Sequence, residues 1–159
     1  MRLDPLYRLR FDYPESWEAE ISGDGGKEQQ LLLFAEGRAE GRIAGRFRAT
    51  NYPRRRVDRT AVTDFRGVIE VEGGPAILFE CHGFGRARTP EYDRVSPGGR
   101  QWVATVSHLT DHPEFRWLND TVCVGTGQVR PKPVETPTNP TDLVLDVAAL
   151  VWEPGAPQP

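Results

Sequence analysis

From Glu36 to Thr50 the chain alternates residue by residue. Arg38, Glu40, Arg42, Ala44, Arg46 and Arg48 hold the even positions; Gly37, Ala39, Gly41, Ile43, Gly45, Phe47 and Ala49 hold the odd ones. A period of two marks a β-strand with one buried face. The same period returns in Gln101–Leu109, where Trp102, Ala104, Val106 and His108 share a face. It returns again in Leu143–Trp152, where Leu143, Leu145, Val147, Ala149 and Val151 do. A helix is the rival for that last segment, but no capping box precedes it and valine is frequent. Leu6–Phe11, Gln30–Ala35 and Trp117–Val124 read as further strands. Gly67–Gly85 reads as a hairpin, two β-favouring runs around a Gly73-Gly-Pro75 break.

Between these runs lie turn signals. Ser22–Lys27 is dense in glycine, Asn51–Asp64 and Arg86–Arg100 are polar loops, and four prolines punctuate Arg130–Asp142. Strands that alternate belong to antiparallel sheets, and a chain of them with no convincing helix closes as a barrel or stacks as a sandwich. The expectation is all-β: a single antiparallel β-barrel of about eight to ten strands spanning residues 1–159, with a connector at 131–142 and a frayed tail at 153–159. Gly37, Gly41 and Gly45 fall on one strand face. Gly41 and Gly45 are expected to face the interior, beside a bulky aromatic or an open lumen.

Composition narrows the function classes. A chain of 159 residues suits one domain. A net charge of −3 argues against a general nucleic-acid binder. No apolar run reaches the length of a membrane helix, and the start has no signal-peptide core, so a cytoplasmic protein with no membrane partner is expected. Cys81 and Cys123 sit in strand-like runs, as free thiols or as a disulfide between neighbouring strands.

Three segments together carry a resemblance: Gly37-Arg-Ala-Glu-Gly41-Arg-Ile-Ala-Gly45, Asp64-Phe-Arg-Gly67-Val-Ile-Glu, and Phe115-Arg-Trp117-Leu-Asn119-Asp-Thr-Val-Cys-Val-Gly125. This ordered set resembles the bacterial and fungal family labelled domain of unknown function 3237. The resemblance implies a β-barrel of lipocalin-like general shape. It implies no established activity and carries no catalytic residue across.

Candidate chemistry centres on Glu80 and His82, two apart on one strand. If the hairpin loop holds an even number of residues, Ile69 faces Leu78, Gly67 faces Glu80, and Glu80 and His82 point inward. If it is odd, Ile77, Phe79 and Cys81 point inward instead. An inward Glu–His pair must be paired or hydrogen-bonded, and its proton affinities could move toward those of an acid–base site. His108 shares its face with Trp102 and is the second inward candidate. Trp117 and Asn119 share a strand face, and Asn119 could orient a ligand. Arg46 would receive a carboxylate if its face lined the lumen. The expected ligand site is thus Glu80, His82, His108, Trp102, Trp117, Asn119 and Arg46, around a small, partly apolar molecule in the barrel mouth. A lyase, isomerase or cyclase using Glu80 with His82 or His108 is the alternative; a barrel filled by its own side chains is another. Glu80, His82 and His108 are residue types that bind zinc or iron, but no fixed spacing supports a metal. No phosphate-loop or dinucleotide fingerprint is present, so no cofactor is expected. Self-association stays open.

Overall fold

The computed structural model describes residues 1–87, 100–131 and 141–152. Its strands are β1 (Arg2–Gly23), β2 (Gly26–Gly41), β3 (Gly45–Asn51), β4 (Arg54–Arg55), β5 (Ala61–Val71), β6 (Ala76–Ala87), β7 (Arg100–Leu109), β8 (Cys123–Pro131) and β9 (Thr141–Val151), with a 3-10 turn at Arg116–Asp120. Every pairing is antiparallel, in the order β1-β9-β8-β7-β6-β5-β3-β2. β2 then pairs back onto β1, so the sheet closes into a barrel. β4 bridges β2 and β5 beyond the end of β3. Closure leaves the ring no open edge, which is how an antiparallel chain of this kind protects its backbone groups.

The segment expected as a strand at Leu143–Trp152 is one as far as Val151, paired on both sides, as its alternation predicts. Other boundaries differ. β1 runs far past Phe11, because a register shift between Asp12 and Glu15 absorbs Pro14, which has no N–H for the ladder. Beyond that bulge β1 pairs only with β2, whereas β2 keeps partners in β3 and β4 as far as Gln29, so the two strands stand alone only at the tip, Ile21–Gly23 with Gly26–Glu28. Glu36–Thr50 is not one strand but two. Gly41 adopts φ +136, a conformation side chains disfavour, and the chain turns through Arg42–Ala44. The alternation conceals this turn because Ile43, at its tip, is also buried. The polar stretch 51–64 contains β4 and the start of β5. Trp117 lies in the 3-10 turn, and its strand begins only at Cys123. Pro131 ends β8 and Thr141 begins β9; the rest of the expected connector, and the tail at 153–159, lie outside the described residues.

The β2–β3 and β5–β6 hairpins and the 3-10 turn gather at one end, termed the lower end, plugged by Ile43 and Leu118. The β1–β2 tip leaves from the upper end. The middle is filled by aromatic side chains meeting edge to face: Phe11 with Phe47 at 5.6 Å, and Phe47 with Phe79 at 5.3 Å between ring centres. Among the described residues no helix is long and apolar enough to cross a membrane.

Candidate functional site

The β5–β6 hairpin decides the fate of Glu80 and His82. The Val71 N–H donates to the Pro75 carbonyl at 2.9 Å, leaving Glu72, Gly73 and Gly74 as the loop, with Gly73 at φ +87. The loop is odd. Ile69 therefore faces Ile77, and Gly67 faces Phe79. Ile77, Phe79 and Cys81 are buried, and the inward placement of Glu80 and His82 is overturned. Both lie on the outer wall with half-exposed side chains. His82 Nδ1 is 3.4 Å from Asp64, and His82 Nε2 is 3.9 Å from Glu80.

The remaining expected site residues do not meet. Arg46 is on the outer face, 3.4 Å from Glu36. Trp117 is on the lower lid, with the Arg42 guanidinium 5.2 Å from its ring centre. Asn119 pins that lid: its carbonyl accepts from the Thr110 N–H and its amide donates to the Thr110 carbonyl, both at 3.0 Å. His108 and Trp102 do face inward, as their alternation predicts, with only 5% and 7% exposure. Six residue steps along the strand separate them, roughly 20 Å at the usual rise. His108 belongs to the lower end and Trp102 to the upper, so no single cavity holds Glu80, His82 and His108.

At the lower end Tyr7 and His108 form a buried pair, with Tyr7 Oη 2.6 Å from Nε2. Burial raises the Tyr7 phenol well above its usual range, and it pushes His108 down to about 4. Both are neutral, and the phenol donates to Nε2. The reverse arrangement would strand the phenol proton as well as Nδ1, which has no partner. Cys81 and Cys123 are free, buried thiols, pushed up by burial to about 12 and about 11. Each lies opposite Val106, on either side of it. That puts them two strands, or about 10 Å, apart and excludes the disulfide reading.

The upper end holds a different constellation. Phe65 sits between Tyr13 and Trp102, its ring centre 6.5 Å from one and 5.4 Å from the other, with tilts of 23° and 29°. Trp102 lies flat across β8 because position 127 is glycine; a Cβ there would fall 1.4 Å from the indole Nε1. Asn51 links the aromatics to the backbone. Its Oδ1 accepts from the Asp64 N–H at 3.2 Å, which fixes the amide so that Nδ2 donates to Tyr13 Oη at 2.9 Å. The Tyr13 oxygen is thus an acceptor toward Asn51, and its own proton is left to be given. Burial raises the Tyr13 phenol above its ordinary value, so it holds that proton. Trp102 Nε1 and Thr63 Oγ1 are buried with no hydrogen-bond partner. Such orphans are rare, and each costs on the order of 1–3 kcal/mol. No reading of the sequence singled out Tyr13, Asn51, Thr63 or Phe65. Phe65 continues the alternation of Ile69 and was legible as inward; Asn51 and Thr63 lie in the stretch read as a loop, and Tyr13 falls beyond the strand expected at Leu6–Phe11.

Among the described residues, then, the chain is a closed antiparallel β-barrel with a packed centre and a donor-bearing aromatic cluster at its upper end. It belongs to the family described as "Protein of unknown function (DUF3237)", whose model matches residues 1–142. No curated protein matches it. Solved structures share the fold. A β-barrel-like protein from Acinetobacter baumannii AYE superimposes with a TM-score of 0.70 at 21% identity, over 93% of this chain and 94% of its own. A protein of unknown function from Clostridium acetobutylicum ATCC 824 gives 0.71 at 15% identity, over 95% and 100%. An enzyme from Penicillium herquei gives 0.61 at 17% identity, over 92% and 93%.

Proposed function

We propose that the protein binds a small, partly apolar molecule at the upper end of the barrel, against Tyr13, Phe65 and Trp102. The observation that carries this reading is the pair of buried, unpartnered polar atoms, Trp102 Nε1 and Thr63 Oγ1, beside a stack of aromatic rings. An apolar wall with a few unsatisfied polar groups is the composition of a small-molecule site. The indole N–H and the Tyr13 O–H both offer protons, so the ligand is one that presents an oxygen or nitrogen acceptor to them.

The test is a metabolite screen by thermal shift, followed by titration of the best hit against Trp102→Phe. That change keeps a flat ring and removes the N–H. The expected result is a five- to thirty-fold weaker affinity, from about 1–2 kcal/mol of lost hydrogen bonding. Equal affinity of the variant and the parent would refute the site.

A second reading is that the same cluster is catalytic, with Tyr13 as general acid toward the bound molecule. The Tyr13 proton left uncommitted by the Asn51 amide favours it, as does the presence of an enzyme among proteins of this fold. Turnover lost in Tyr13→Phe while binding persists would separate catalysis from binding.

A further inference from the structure

The outer wall of β5, β6 and β7 carries a pattern independent of the upper-end cluster. Along β6 the outward residues are Leu78, Glu80, His82 and Phe84. The ladders place Leu109 beside Leu78, Arg66 beside Glu80, Asp64 beside His82, and Val103 beside Phe84. The face is therefore two apolar rows flanking a charged strip. The apolar rows are open to solvent: Leu78 is 53% exposed, Leu109 58%, Phe84 61% and Val103 62%. Clustered exposed apolar side chains rimmed by polar ones mark an interaction surface, whereas single ones do not.

We propose that this face binds a second copy of the chain across a two-fold axis lying in the contact plane, perpendicular to β6. The pattern along β6 supports that occupant because it is complementary to itself when reversed. The axis sets Phe84 on the partner's Leu78, and Val103 on the partner's Leu109. It sets Arg66 against the partner's Asp64, and Glu80 against the partner's His82. Each contact occurs twice, as an isologous interface requires. An axis parallel to β6 would instead set Glu80 on the partner's Glu80, a like-charge contact that disfavours it. The face offers on the order of a dozen residues, against roughly 20–30 per side in a standard interface, which places the dimer in the weak, transient class.

Sedimentation velocity of the full chain from about 1 to about 200 µM tests this. A monomer–dimer equilibrium is expected, with the dissociation constant raised at least tenfold by Leu78→Glu and by Arg66→Asp. Both positions point outward, so the melting transition should stay near that of the parent. The decisive variant is Asp64→Arg with Arg66→Asp, which exchanges the charges and should restore the dimer. A parent that stays monomeric throughout the range overturns the proposal. So does a dimer indifferent to Leu78→Glu and Arg66→Asp, or an exchange variant no tighter than Arg66→Asp alone.

Discussion

His108 shows how burial turns an ordinary side chain into a stability term. In the unfolded chain its proton affinity is that of a free imidazole, about 6.5; in the barrel it falls to about 4. Between those values the unfolded chain binds the proton and the folded one does not, so stability rises with pH there. The contribution is complete above pH 6.5 and is lost as pH falls toward 4, on the order of 3 kcal/mol in all. Melting curves across this window should show the slope in the parent and lose most of it in His108→Gln, which still accepts from Tyr7 but does not titrate. An unchanged slope would assign the acid sensitivity to other groups. The alternation of β7 told which way His108 points. It was silent about Tyr7, because that partner is 101 residues away in sequence.

At the scale of elements, the glycines behave less simply than their spacing suggests. Gly41 is exposed and serves the turn, not the interior. Gly45 is buried as expected, but its neighbour is neither an aromatic ring nor open space. A Cβ there would lie 2.1 Å from the Glu70 carbonyl oxygen and 2.8 Å from the Val71 Cα. β3 and β5 approach so closely at this register that backbone, which yields less than a side chain, occupies the position. Gly45→Ala is accordingly expected to cost at least about 2–3 kcal/mol, the upper part of the range for overpacking. Urea denaturation would measure it. A cost within about 0.5 kcal/mol, typical of free surface positions, would mean that the strands part easily. The β5–β6 hairpin teaches a related lesson. Its outward face was mistaken for a candidate site because one loop residue more or less reverses every side chain on the strand.

At the scale of the molecule, closure divides the chain into two regimes. Residues in the ring are paired on both sides around a continuous aromatic core, whereas β1 beyond Glu15 pairs with β2 alone and exposes Trp17 and Ile21 to solvent. Local opening needs least free energy where few apolar contacts are lost. Amide exchange should therefore be slowest in Leu9, Phe47, Phe79 and Leu145, all in the ring, and faster by orders of magnitude in Ala19–Gly23. Equal protection of both would mean that this part of β1 is covered in solution.

The antiparallel class and the shared faces of β7 and β9 were determined by the sequence alone, because alternation with period two is a property of the extended backbone. The family, too, was legible in the ordered motifs from Gly37 to Gly125. Which face of β6 points inward was decided by the three-residue loop at Glu72–Gly74, whose parity is set by the backbone conformation of Gly73. Only the tertiary structure brought Tyr13, Asn51, Thr63, Phe65 and Trp102 to one end and Tyr7 with His108 to the other. Those meetings depend on ring closure and strand stagger, which are sums over every pairing in the barrel and are written in no single stretch of the chain.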